Sequence, residues 1–338
     1  MSKEEEVIIE MTAEDVLVDR NKTLPVDAYY EISEAERKKI ENDITTYRAK
    51  TIDNVDRVND IMEIKDLDIY IHRDFLFNND QDKPNALLHA EFVDGYYQLL
   101  QKKYPQNLYF TTHFIQNYDD DRKPIEKGSV LDVDEEEKKP IGKKIVIEIE
   151  DGNFDLFLLF LNSNPKRRKT KVDMMDKMLD MIAADEKDRK VFFPVFVDTN
   201  HFAVLVLDVK FKALVYYDSI LYGKNKTTGM TDNAEKYLYL VTDFIKNYLK
   251  YKEDEFAGKS EVEAFLKDME HRLIQYDNSP QQKNGYDCGV YTCALGYLIS
   301  ADKRIPEPKK KGATFTKKQV QNMRLRIKES FVKGEITP

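Results

Sequence analysis

Cysteine is nearly absent from this 338-residue chain: Cys288 and Cys293 are the whole supply. They lie close together on one apolar stretch of helical length and cannot bridge without distortion. That excludes a disulfide framework and a cysteine-rich zinc centre, and it fits a reducing compartment, cytoplasm or nucleus. Tryptophan is missing altogether. No apolar run approaches the roughly 18 residues that cross a bilayer, and the opening Met1-Ser2-Lys3-Glu4-Glu5-Glu6 is no signal peptide. A membrane partner is therefore not expected. The formal net charge of −9 argues against a general nucleic-acid partner, although local basic patches stay open.

What is present is a large potential core. Hydrophobic residues make up 41% and aromatic residues 11%, while 34% of the chain is charged. The length suits one large domain or two ordinary ones. Residues 1–31 are acidic and irregular and read as a mobile arm. From Ser33 a helix begins, with Ser33 and Glu36 as a capping box. Ile40, Ile44, Tyr47, Val55, Val58 and Ile61 fall on one stripe, with Ile52 close by. This is an appended helix packed on the main domain, or a docking arm. The division expected is an arm and helix over 1–64 and a main domain over 65–338.

In the main domain Leu67–Ile71 alternates as a strand, and Leu87–Leu100 has helical spacing through Leu88, Phe92, Tyr96 and Leu99. Leu108–Phe110 and Phe114-Ile115 form a short apolar segment. Residues 117–143 are a charged, solvated insertion whose carboxylates lack the spacing of a calcium loop. Lys144–Glu150 alternates, and Phe154–Leu161 is continuously apolar. The basic hexamer Lys166–Lys171 is placed in a loop, as a solvated surface, a nuclear address or a patch for an acidic partner. Met174, Met175, Met178, Met181 and Ile182 make one helical face, for core packing or for a plastic binding surface. Val191–Val197, His201–Asp208 and Lys212–Tyr217 read as consecutive strands, the middle one central because both its faces are apolar. Tyr237, Leu238, Val241, Phe244, Ile245 and Tyr248 mark an amphipathic helix. Residues 252–268 are charged and partly helical. Lys309–Lys311 is a loop, and Thr316–Val332 a terminal helix.

The chemistry gathers around Gln281–Tyr291. A polar, Asn-Gly-containing turn runs into the apolar stretch Val290–Ile299. Asp287 is a good helix N-cap residue, which puts Cys288 in the first turn of a buried helix. A helix N-terminus favours the anionic form of a nucleophile. An ordinary buried cysteine is the commoner alternative. His201 and Asp218 supply further context. Opposed residues of an antiparallel hairpin share a constant index sum, and for this pair the sum centres the hairpin between residues 209 and 210, in the charged break. His201 and Asp218 then meet at its open end, where a carboxylate fixes the tautomer of an imidazole and supports its cation. Cys288 completes a nucleophile, base and orienter. Gln282 and the unpaired N–H of Cys288 are candidate oxyanion donors.

The order His201, Asp218, Gln282, Cys288 resembles the ubiquitin-like-protein-specific cysteine proteases, the desumoylating and deneddylating enzymes. The likeness rests on His201-Phe202, Tyr217-Asp218-Ser219 and Gln281–Tyr291, and more weakly on Leu87–Leu100 and on Phe315–Ile327 with Arg324 and Arg326. It covers roughly residues 65–335. It implies an α/β (α+β) papain-like, adenain-like fold, with a central helix carrying Cys288 packed on a mixed, largely antiparallel sheet carrying His201 and Asp218. It also implies no metal or other cofactor, and as partners a ubiquitin-like modifier, SUMO-like foremost, and its conjugates. A monomer is expected. In the family, one tryptophan follows the catalytic histidine and another opens the helix matching Leu87–Leu100, and together they roof the tunnel for the Gly-Gly tail. This chain has Phe202 and Leu87 there, with Tyr286 as a third candidate substrate contact. A polypeptide-processing protease of the same clan, an effector-type acyltransferase and an inactive modifier-binding module remain as alternatives.

Overall fold

The computed structural model describes residues 12–51, 61–64, 69–72, 88–115, 165–197, 200–221, 223–252, 256–308 and 314–337. Leu87, the insertion 117–143, the segments 144–150 and 154–161, Val55, Val58 and Lys309–Lys311 lie outside the described residues. A five-stranded mixed sheet organises the rest. Its strands are β3 (Leu108–Tyr109), β4 (Lys190–Val197), β5 (His201–Asp208), β6 (Ala213–Tyr217) and β7 (Leu273–Gln275), in that spatial order. The inner pairs β4–β5 and β5–β6 are antiparallel, and the outer pairs β3–β4 and β6–β7 are parallel. β4 is rich in β-branched and aromatic residues, which suit a pleated surface. Its Pro194 falls beyond the reach of β3, on an edge that is unpaired among the described residues and tolerates a residue without an N–H.

β5 is central, as its two apolar faces predict. Phe202, Val204 and Val206 face one core, and Ala203, Leu205 and Leu207 face the other. The first core is covered by α1 (Ala13–Thr23), α3 (Ala90–Lys103), α7 (Cys288–Ser300) and α8 (Lys317–Lys333). The second is covered by α4 (Pro165–Ala183), α5 (Asp232–Tyr251) and α6 (Lys259–Glu270). Met175, Met178 and Met181 are buried there with Leu179 and Ile182, so the methionine face is core packing. α7 is apolar all round and buried at every position, the pattern of a helix enclosed by its neighbours. Glycine lets α3 and the residues that lead into it come close to α7. A Cβ on Gly289 would lie 2.7 Å from the Leu88 Cβ, and one on Gly296 would lie 2.7 Å from the Tyr97 hydroxyl.

Several expectations change. Residues 12–31 are not an irregular arm. Thr12 and Asp15 form a capping box that starts α1, and Asn21 brackets the Ile305 backbone, its Nδ2 donating to the carbonyl at 2.9 Å and its Oδ1 accepting from the N–H at 2.7 Å. Tyr29 is fully buried, stacked on Tyr297 with ring centroids 4.6 Å apart, its hydroxyl 2.8 Å from that of Tyr96. The helix from Ser33 is α2 (Glu34–Thr51) and stops before Ile61, which opens β1 (Ile61–Ile64), paired antiparallel with β2 (Ile69–His72). The Glu36 N–H donates to the Ser33 hydroxyl, but the Glu36 carboxylate accepts from Arg326 at 2.7 Å on α8. Ile40 and Ile44 pack on Leu325 of that helix. The basic hexamer lies in the first turns of α4 and not in a loop. Pro165 opens that helix, where a missing N–H costs nothing, and Lys and Arg are good helix formers.

Candidate active site

β5 and β6 pair Val204 with Tyr217 and Val206 with Val215, which centres the hairpin between residues 210 and 211. The register is therefore shifted from the one that opposes His201 to Asp218. The two are diagonal neighbours at the open end, within reach because diagonal residues share a face. His201 Nε2 stands 2.6 Å from Asp218 Oδ1. An ionised carboxylate only accepts, so Nε2 is the donor and Nδ1 is left for other work. Asp218 is 2% exposed. The Tyr216 hydroxyl donates to its Oδ2 at 2.8 Å, and the Ile220 N–H donates to its Oδ1 at 2.8 Å. Three donors thus fix the carboxylate. Tyr216 was not singled out from the sequence, although strand alternation puts it on the same side as Asp218.

Cys288 is the second group that acts on the imidazole. Burial pushes its pKa down, but the hydrogen bonds to Asp218 and Cys288, and the charges of both, outweigh this and raise it to about 10. The ring holds its proton strongly. Cys288 opens α7 and influences His201. Cys293, further along the same helix, is fully enclosed, and burial, followed by the nearby Asp94, pushes its thiol well up. The two cysteines therefore have different surroundings despite their closeness in sequence.

Gln282 is 6% exposed. Its Oε1 accepts from the Ser219 hydroxyl at 2.6 Å, and its Nε2 donates to the Asn284 carbonyl at 2.6 Å. A carbonyl cannot donate, so the amide orientation is determined, and one N–H of Nε2 remains for another acceptor. Gln281 is a clamp. It donates to the Asp218 carbonyl at 3.1 Å and accepts from the Leu221 N–H at 3.1 Å, and its N–H donates to the Thr314 hydroxyl at 2.7 Å. The loop after β6 and the turn before α7 are tied together through it.

Asp287 takes the N-cap position of α7, but it makes no side-chain cap. Its carboxylate accepts instead from Arg324 Nε at 3.2 Å and Nη2 at 2.5 Å, and from Asn284 Nδ2 at 2.6 Å. The capping expected from the sequence is replaced by a tertiary ion pair. Phe202 is 2% exposed, with its ring 4.7 Å from that of Phe196. As placed, it is a core residue beside the site and not a surface open to a substrate. Tyr286 is half-buried in the turn. Among the described residues no cluster of His, Cys, Asp and Glu is arranged to hold a metal, and no helix is long and apolar enough to cross a membrane.

A sequence profile of the Ulp1 protease family, C-terminal catalytic domain, matches residues 160–333. The chain belongs to the Ulp1 protease family. This is a family of cysteine peptidases, and the match runs from just before α4 to the end of α8. Ubiquitin-like-specific protease 1 of Saccharomyces cerevisiae is 29% identical over 137 residues, 40% of this chain and 17% of that protein. Human sentrin-specific protease 2 is 29% identical over 120 residues, 36% of this chain and 18% of that protein. The matched stretch is thus under a fifth of either relative's length. A solved structure of the SUMO protease Ulp1, its catalytic cysteine oxidised to a sulfenic acid, superposes with a TM-score of 0.51. It covers 91% of this chain and 98% of that one at 18% identity, a likeness of fold.

Proposed function

We propose that this chain is a cysteine isopeptidase or processing protease that cleaves after the C-terminal Gly-Gly of a ubiquitin-like modifier, SUMO-like foremost. The observation that carries the reading is the convergence of His201, Asp218 and Cys288 from three separate elements, with His201 2.6 Å from Asp218 and Cys288 near enough to raise the pKa of the ring. Membership of the Ulp1 family supports it, as does the likeness to a yeast ubiquitin-like-specific protease.

His201 takes the proton of Cys288, and the resulting thiolate attacks the carbonyl carbon of the terminal glycine. The oxyanion accepts from the second Nε2 N–H of Gln282 and from the N–H of Cys288. The His201 imidazolium passes its proton to the leaving amine, which departs and leaves a thioester on Cys288. Water, deprotonated by His201, hydrolyses that thioester and releases the modifier with a free carboxylate. Asp218 holds the ring in one orientation and stabilises its cation throughout. Leu87 and Tyr286 are the residues proposed to border the tail, with Phe202 packed behind the site in the core.

The test is a panel of modifiers carrying C-terminal electrophiles, read by mass spectrometry. One modifier class should label Cys288. Labelling and cleavage should vanish in Cys288→Ala and persist in Cys293→Ala. Cleavage retained in Cys288→Ala refutes the proposal. Cutting of unrelated polypeptides with no modifier labelled would establish the general protease instead.

A further inference from the structure

Asp is among the residues best able to cap a helix N-terminus, because its carboxylate accepts from the second or third N–H of the first turn. Asp287 sits where it would do this for α7, yet both its oxygens are engaged elsewhere. Oδ1 is bound by Arg324 through Nε and Nη2, and Oδ2 by Asn284 Nδ2. The pair is sealed, with the Arg324 side chain 6% and the Asp287 side chain 8% exposed. Arg324 also donates to the Tyr286 carbonyl at 3.3 Å. An Asp at this position that turned inward would place a full negative charge at the head of the helix that begins with Cys288.

We propose that Arg324, with Asn284, is a positioning residue that holds the Asp287 carboxylate off the N-terminus of α7, so that the first-turn N–H groups and the positive end of the helix serve the Cys288 sulfur and the oxyanion. This rests on Cys288 being the nucleophile. Arg324 touches neither substrate nor thiol and acts through Asp287. It does so in two ways. It neutralises a carboxylate next to the nucleophile, which would otherwise oppose a thiolate. It also keeps that carboxylate from competing with the oxyanion for the orphan donors of the helix start. The charged groups placed near Cys288 or its neighbour Asp287 are His201 on β5 with Asp218 behind it, Lys283 in the preceding turn, Asp287 itself, and Arg324 on α8, which has Lys328 beside it. Asp287 is the only one of these that lies at the helix start and carries the sign that disfavours a thiolate.

The experiment is the pH dependence of Cys288 alkylation by chloroacetamide in the full chain, read on the Cys288 peptide by mass spectrometry. It needs no modifier, so failure to find a modifier substrate leaves this measurement intact. In Arg324→Gln the acid limb of alkylation should move up by about one pH unit, the lower end of the effect of a nearby like charge. In Arg324→Gln combined with Asp287→Asn the limb should return to the wild-type position, although the ion pair is still missing. A purely structural role for Arg324 predicts no such rescue. Removing one partner of a buried pair is strongly destabilising, so Asn284→Ala, which leaves the Arg324 pair in place and frees Oδ2 together with the Tyr286 and Asp287 N–H groups, is measured alongside. It should move the limb in the same direction by less. An unmoved limb in Asn284→Ala, or in a folded Arg324→Gln, overturns the proposal. So does a limb that stays displaced in the double variant.

Discussion

Replacing Asp218 by Asn removes one negative charge and little volume. The site accommodates it. The Asn oxygen keeps the Ile220 N–H, and the Tyr216 hydroxyl, which donates to Asp218 Oδ2, turns to accept from the new amide. What changes is the imidazole. His201 is raised from 6.5 to about 10 although burial acts against it, and the hydrogen bond to Asp218 is the largest influence in the raising direction, followed by that to Cys288. An opposite charge at such a distance shifts a pKa by about 1–3 units. At ~1.4 kcal/mol per unit, the imidazolium loses about 1.4–4 kcal/mol of support. The alkaline limb of kcat/KM, which follows loss of the His201 proton, should therefore fall from near 10 by about 1–3 pH units. The assay is a pH–rate profile on a fluorogenic modifier C-terminus, with circular dichroism to establish that the variant is folded. Stability should follow the same sign. The pKa is raised in the folded state, so the contribution of imidazolium is complete below 6.5 and lost as pH rises through about 10. Melting of the wild type should decline across that window more steeply than melting of Asp218→Asn. An alkaline limb that does not move in a folded Asp218→Asn refutes the reasoning.

Gln282→Ala should lower kcat by about 10²–10³-fold with a much smaller change in KM, as expected when one oxyanion donor is lost; a loss confined to KM would make Gln282 a substrate contact. Gln281→Ala should impair the enzyme too, because Gln281 ties the Asp218 carbonyl to the 279–282 turn, and unchanged kinetics in that variant would contradict the clamp. Tyr29→Ala should destabilise the whole domain by about 3–5 kcal/mol, the usual cost of emptying a buried aromatic site, read from the midpoint of chemical denaturation; a cost below ~1 kcal/mol would show that α1 and the following turn are peripheral. Phe202→Trp should cost about 1–3 kcal/mol by overpacking against Phe196; an unchanged melting temperature with sharper rejection of an Ala-Gly tail would show that residue 202 faces the substrate.

The helix α5 was legible from its amphipathic period, and β5 and α7 from the length of their apolar runs and the polar breaks that bound them. The candidate residues were legible for a different reason. A histidine opening one strand and an aspartate closing the next must come near each other in any tight hairpin, so a register displaced by one pair still left them in contact. The basic hexamer was misplaced because charge does not distinguish a loop from a helical turn, while Pro165, which opens α4, gives only a local hint. The arm expected over 1–31 was misjudged across its described part, 12–31, because what orders it is distant: Tyr29 meets Tyr96 and Tyr297, and Asn21 meets Ile305.

The sequence by itself determined which residues could do the chemistry, because nucleophile, base and amide are matters of residue type and of helix and strand periodicity. Only the tertiary structure decided how those groups are tuned. Asp287 reads as an N-cap in sequence and becomes an ion-pair partner of Arg324 in the fold. Phe202 reads as a tunnel wall and becomes part of the core against Phe196. In both cases the deciding partner lies on another element. Hydrogen bonds and ring contacts act over a few ångströms in space, and position along the chain carries no record of which distant groups will come that close.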